Sequence, residues 1–407
     1  MRVVIAPDSF KGTLCASAAA EAVARGLRRA WPDCEAVLKP MADGGEGTQE
    51  AVLTAIGGER IEIEAVDPLG RTVSAAYALL PTGEALIELA SASGLTRVEE
   101  EKRDAVHALA ASTYGTGQLI RDAIRRGAAR ILLTLGGSAT SDGGYGLLAA
   151  LGARYYDADG QPQSGQDASE LATVERIDAG EALHLLRGVE IRAACDVNNP
   201  LCGPLGAASV YGPQKGLDAP AVARRDAELR RFAALLQQAV RTQGGAIANG
   251  GVSARGRVSD GGMAQDVSVL PGIGAAGGAS LPLVQLAGAA LVPGAELVGQ
   301  AIGLPEAVGQ ADLVITGEGR SDAQSAMGKV PAYVGRLAEQ AGKPCLLLSG
   351  ALGAGYEALL RLGITKAFAA SPAHATSDEL RVHAAAWLEQ AAAAAAAVWQ
   401  REGAQDR

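Results

Sequence analysis

Short apolar runs alternate with longer amphipathic segments at both ends of the chain, a pattern that predicts strands and helices in turn. "VVIA" (3–6) reads as a buried strand, and Ala22, Val23, Gly26, Leu27, Ala30 and Trp31 then recur at helical spacing opposite Arg25, Arg28 and Arg29. "AVLKPM" predicts a second strand, "GTQEAVLTAIGG" a helix closed by glycine, and "RIEIEAV" a third strand of alternating polarity. Strand, helix, strand, helix, strand is the grammar of a parallel sheet. After "DPLG" (67–70) the grammar changes: "TVSAAYALL", the turn "PTG" and "EALIELA" predict an antiparallel hairpin. A mixed region follows, with helices near 113–126 and 219–243 and strands at "ILLTLG" and "EIRAACDV". Alternation returns with "ADLVITG" as strand, "KVPAYVGRLAEQAG" as helix, "PCLLLSG" and "KAFAAS" as strands, and a last alanine-rich helix.

The two βα portions therefore read as halves of one parallel sheet interrupted by a large mixed α/β insertion, with boundaries near residues 68 and 291. Residues 241–265 are glycine-rich, polar and without periodicity, which predicts a mobile loop. The alanine run 391–397 has strong helix propensity and reads as dispensable.

Length and composition narrow the class. A chain of 407 residues that is 48% hydrophobic can bury the cores of two or three domains. Glycine is the outlier, 53 against roughly 28 expected at a share of about 7%, and its clusters with Asp, Ser and Thr suggest backbone brought close to ligands. A formal charge of −9 argues against a broad electrostatic grip on nucleic acid or an anionic membrane, so an anionic substrate needs a local pocket. Five cysteines without a CxxC pair and four scattered histidines (His107, His184, His374, His383) indicate neither a disulfide framework nor a zinc site. With no secretory apolar region and no apolar run near the ~20 residues that span a bilayer, a cytoplasmic protein is expected.

The chemistry-bearing residues fall in loops that follow predicted strands, where open parallel sheets bind ligands. In "PDSFKGT", Lys11 lies two residues past Ser9 and before a helix, placed for a phosphate or carboxylate or else a solvated lysine in a turn. In "PMADGGEGT" (40–48), Asp43 and Glu46 can coordinate Mg²⁺ beside phosphate oxygens; equally, their spacing forms a helix capping box. "GGSATSDGGYG" (136–146) offers backbone amides at Gly136, Gly137 and Gly143, the hydroxyls of Ser138, Thr140 and Ser141, and Asp142, either as a phosphate cradle or as a tight structural turn. No Walker A motif and no protein-kinase HRD or DFG signature occurs. "ACDVNNPLCGPLGAASVYGPQKG" (194–216) places Asp196 to accept a hydroxyl proton or hold a metal. Asn198 and Asn199 could bond a small polyol, and Lys215 sits in a proline-glycine turn; the bland reading is an Asx-turn network. Glu318, Arg320, Asp322 and Lys329 form a charged constellation that a solvated ion-pair cluster would also explain.

Taken in order, "IAPDSFKGTL", "PMADGGEGT", "STYGTG", "GGSATSDGG", "CDVNNPLCGP", "GPQKG", "PGIGAAGG" and "TGEGRSDAQSAMGK" strongly resemble the bacterial type I glycerate kinase family, from residue 1 to about 375. The resemblance implies ATP-dependent, Mg²⁺-dependent phosphorylation of D-glycerate, most often at the 2-hydroxyl to give 2-phosphoglycerate. It implies an α/β fold in which a Rossmann-like domain (1–67 and 292–407) carries an inserted mixed α/β domain (68–291). For such a reaction, the chemistry of the loops assigns Lys11, Asp43, Asp196 and Lys215 to catalysis and Asp43 with Glu46 to the metal. Gly136, Gly137, Ser138, Thr140, Ser141, Asp142, Gly143, Glu318 and Arg320 go to the nucleotide, and Ser9, Asn198, Asn199 and Asp322 to the substrate. The partner is then a small molecule, neither nucleic acid nor membrane. A kinase for another hydroxy acid, a 3-phosphoglycerate-forming enzyme, a non-catalytic sensor and a homodimer all stay open. The 241–265 stretch and the C-terminal extension depart from the family pattern without removing a motif.

Overall fold

A computed structural model describes residues 1–243 and 266–403. Of the stretch expected to be a mobile loop, residues 244–265 lie outside the described residues, while 241–243 end a helix. The chain forms two compact units: Met1–Asp43, Glu50–Gly57 and Pro293–Arg407 make the first, Gly44–Gln49 and Gly58–Val292 the second.

The first unit is built on a five-stranded, fully parallel sheet in the order Lys366–Ala369, Cys345–Ser349, Leu313–Gly317, Arg2–Pro7, Glu35–Leu38. Its central strands are continuous apolar runs because both faces are covered; Val3, Val4, Ile5 and Ala6 are all fully buried. Val3, Ile5, Leu313, Ile315, Leu346 and Leu348 share one core with the helices Ala16–Ala30 and Ser377–Gly403. The helix Val330–Gln340 contributes nothing to that core and packs on the same strands through Val330, Ala332, Val334 and Ala338. The alanine run is not dispensable. Ala392, Ala395 and Ala396 are fully buried against the first helix, where a Cβ on Gly26 would come within 2.1 Å of the Glu389 carbonyl oxygen; only small side chains let these two helices approach so closely.

Numbered within this sheet, the strands run 2-1-3-4-5, the doubly wound order in which the chain reverses direction between the first strand and the third. The crevice outside the carboxyl ends of Arg2–Pro7 and Leu313–Gly317 is therefore the predicted ligand position.

The second unit holds a six-stranded mixed sheet in the order Ala290–Val292, Glu190–Ala194, Arg130–Thr134, Glu84–Glu88, Thr72–Leu79, Glu59–Val66. The first four strands are parallel and the last two antiparallel, including the hairpin read from "TVSAAYALL" and "EALIELA". The strand "RIEIEAV" is a correction: it pairs antiparallel with Thr72–Leu79 in this sheet rather than completing the first. Its alternating Glu and Ile suit an edge strand with one wet face, whereas a strand in the first sheet is buried on both.

Candidate active site

In the first unit, register fixes the site. Pro7 and Gly317 occupy one rung, and the Asp8 amide donates to the Gly317 carbonyl at 2.8 Å, so the chain leaves both strands side by side. The Met41 amide donates to the Pro7 carbonyl at 2.9 Å, which carries the second strand's extension, and Asp43 beyond it, to the same rim. The loops border a cavity of about 270 Å³ lined by Asp8, Ser9, Lys11, Asp43, Glu318, Arg320 and Lys329, with Phe10, Gly350 and Ser371 also in its wall.

Acids sit inside this cavity and cations at its mouth. Asp8 is 5% exposed, and burial, then the charges of Asp43 and Glu318, push its carboxyl up to about 7 against the opposing Ser9 amide (2.6 Å) and Lys11. Burial also raises Glu318, opposed by the hydroxyls of Ser325 and Ser321 and by Lys329. The Ser321 hydroxyl donates to Glu318 at 2.8 Å and is paired at 2.7 Å with Ser349. Lys11 Nζ lies 3.8 Å from Asp43 Oδ2 with its side chain 79% exposed; Arg320 Nε, 69% exposed, lies 3.9 Å from Asp322 Oδ2. Contacts this long and wet contribute little to stability and leave both cations able to meet an anion.

In the second unit, Glu88, Thr134, Ala194 and Val292 form one rung across the four parallel strands. Gly136 and Asp196 each follow that rung by two residues, so the glycine-rich loop and the Asp196 loop emerge from adjacent strands. Gly136 leaves little room for a side chain: a Cβ there would stand 3.0 Å from Gly45 Cα. Glu46 lies over Gly137, whose φ of 74° is left-handed, and adds its charge to the burial that raises Glu88.

Residues 138–146 form a tightly bonded loop. Ser138 Oγ accepts from the Thr140 amide at 3.0 Å, and the Gly143 amide donates to the Gly277 carbonyl at 2.9 Å. Asp142 is fully buried; it accepts from the Thr113 amide and hydroxyl, both at 2.8 Å, and from the Gly144 and Gly146 amides at 3.1 and 3.2 Å. Lys215, 4% exposed, donates to the Thr140 carbonyl from behind, and burial pushes its ammonium down to about 8 against the opposing charge of Asp142.

Comparison with known proteins supplies the family. The glycerate kinase family model matches residues 3–400. The chain is 42% identical to a glycerate kinase of Halalkalibacterium halodurans over 391 residues, covering 96% of each chain. It is 39% identical to glycerate 2-kinase of Escherichia coli K12 over 380 residues, covering 93% of each. The chain belongs to the glycerate kinase family. A solved structure from Salmonella typhimurium LT2, assigned as a glycerate kinase 2, superposes with a TM-score of 0.85 at 38% identity and covers 99% of each chain.

Membership makes the chain a kinase, and the structure engages two residues assigned to its ligands, Asp142 and Asn199, in bonds of the fold itself. Asp142 was expected at the nucleotide, but both its oxygens accept from donors of the fold, Thr113 and the Gly144 and Gly146 amides, and a carboxylate so bonded pins the loop. Lys215, assigned to catalysis, is buried and donates to the Thr140 carbonyl. The Asn199 amide donates to the Leu205 carbonyl at 2.8 Å and accepts from the Tyr211 hydroxyl at 2.6 Å, so it holds its own loop instead of a polyol. The helix Thr48–Ile56 begins beyond both Asp43 and Glu46, so their spacing does not coincide with its first turn. Asp196 and Asn198 are exposed. Asp322 accepts from the Gln324 amide at 2.9 Å in an Asx turn beside Arg320. Asp8 was missed; its one signal was its position directly after the first buried strand.

Proposed function

We propose that the protein phosphorylates D-glycerate at the 2-hydroxyl with ATP, giving 2-phosphoglycerate and ADP. The observation that carries this reading is the crevice at the sheet's switch point, where buried acids lie beneath exposed cations. Family membership points to glycerate, and the naming of the Escherichia coli relative as a 2-kinase supports the 2-hydroxyl.

Magnesium fits this crevice. Asp8 is disfavoured as a carboxylate by burial and by two acidic neighbours, a state that a divalent cation held by Asp8 and Asp43 would relieve. Mg²⁺ characteristically binds through one or two carboxylates and phosphate oxygens, and Asp8 and Asp43 line one cavity. When bound, the ion supplies charge neutralisation for the transferring phosphoryl group.

The chain's own residues do the rest by positioning and charge, as phosphoryl transfer requires. Lys11 and Arg320 hold anionic oxygens at the cavity mouth. The Gly136–Gly143 loop receives phosphate, and Asp196 orients the acceptor hydroxyl and takes its proton. A coupled assay of ADP release with D-glycerate, L-glycerate and related hydroxy acids tests the reading. Turnover preferring D-glycerate is expected; binding of ATP and glycerate without ADP release in the presence of Mg²⁺ overturns it.

A further inference from the structure

The glycine-rich loop of the second unit contains a residue whose polar groups the fold does not use. Ser141 is 1% exposed, yet its Oγ has no hydrogen-bond partner. Among the described residues its backbone N–H has no acceptor either. Its neighbours contrast sharply: Ser138, Thr140, Asp142 and Gly143 are all bonded within the loop, to Thr113 or to Gly277. Two unmade hydrogen bonds at one buried residue cost on the order of 1–3 kcal/mol each, a cost that a fold tolerates where a ligand later supplies the acceptor.

The orientation of that residue is set by Lys215. A trans peptide is planar, with its C=O and N–H pointing in opposite directions. Because the Thr140 carbonyl accepts from the buried Lys215 ammonium, the Ser141 N–H of the same peptide points away from Lys215. Gly277 locks the arrangement from a third direction: its φ is 71°, and a Cβ there would lie 2.1 Å from the Thr140 oxygen and 2.5 Å from Ser141 Cα. Lys215 itself is held by the turn Pro213–Lys215, whose following residue, Gly216, is packed so closely on Arg103 and Asp104 that a Cβ would fall 2.5 Å from the Arg103 carbonyl carbon.

We propose that Lys215 is a positioning residue for the kinase reaction: it holds the Thr140 carbonyl inward and so presents the amide and hydroxyl of Ser141 to an anionic oxygen of a substrate. The inference rests on the reading that this loop receives a substrate anion. Lys215 does not touch the substrate; it acts through one peptide group, with Asp142 fixing the next residue. The anionic oxygen has two sources in this reaction, a phosphate of ATP and the carboxylate of D-glycerate, and kinetics separates them.

The test is steady-state kinetics of the full chain as wild type, Ser141→Ala, Lys215→Met and the double variant, with ATP and D-glycerate varied in turn. Ser141→Ala breaks no protein hydrogen bond, so a purely structural residue would leave both KM values unchanged. The expected result is a rise of about tenfold in one KM, the scale of one lost hydrogen bond to a charged group, with kcat less affected. A rise for ATP identifies a phosphate oxygen and a rise for D-glycerate the carboxylate. Lys215→Met should raise the same KM, and the double variant should be no worse than Lys215→Met alone, since both remove one presentation. Both KM values within twofold of wild type in Ser141→Ala overturn the proposal and leave Ser141 bonded to an internal water; that arm decides even if Lys215→Met fails to fold. Wild-type turnover tests the underlying reading separately.

Discussion

The backbone amide of Asp8 donates to the carbonyl of Gly317 at 2.8 Å. This bond ties the start of one loop to the end of a strand more than three hundred residues away in sequence, and it sets Asp8 beside Glu318 where the sheet's connections diverge. The acids of the cavity are therefore brought together by backbone pairing, and their mutual repulsion is a cost the fold carries.

That cost predicts a pH-dependent stability. A carboxyl raised from 3.8 to about 7 binds its proton more tightly in the folded chain than in the unfolded one. Asp8 thus costs nothing below about pH 4, progressively more between about pH 4 and 7, and a constant amount above, at most about 4 kcal/mol by linkage. Asp8→Asn should melt above the wild type at pH 8 and together with it near pH 4, while turnover falls by roughly 10²-fold. An equal shift at both pH values would mean that the carboxyl is not strained.

Removal of divalent cations should abolish ADP release, and Mg²⁺ should restore it, because the triphosphate and the buried acids both need a counter-charge. Mg²⁺ alone should also raise the melting temperature of the wild type more than that of Asp8→Asn. Full turnover in EDTA would remove the metal from the account.

Asp43→Asn and Asp196→Asn should each lower kcat by roughly 10²-fold with the circular dichroism spectrum unchanged. Near-normal turnover in either variant would return that aspartate to a loop-forming role.

Asp142→Ala should act on stability. It leaves the Thr113 amide and hydroxyl and the Gly144 and Gly146 amides without their acceptor inside the core, for a loss of roughly 3 kcal/mol or more. A variant as stable as the wild type with a raised KM for ATP would reinstate Asp142 at the nucleotide.

The sequence made legible what depends on period and local propensity. The runs at Val3, Leu313 and Leu346 are unmistakable as buried strands, and the loops after the first two hold Ser9, Lys11, Glu318 and Arg320 of the candidate site. What stayed hidden depends on pairing at long range. "RIEIEAV" has the local pattern of a strand, but its partner is chosen by tertiary burial. Lys215 and Asn199 look like exposed turn residues, since nothing in a proline-glycine turn or an Asn-Asn pair reveals that Thr140 or Tyr211 will stand opposite. The alanine run looked uninformative because its role is to be small where Gly26 is also small.

The most direct test of the central claim is ³¹P NMR of the product formed from D-glycerate, ATP and Mg²⁺. The account predicts a single new phosphomonoester resonance matching 2-phosphoglycerate, growing in step with ADP. A resonance matching 3-phosphoglycerate, or ADP accompanied only by inorganic phosphate, would contradict it.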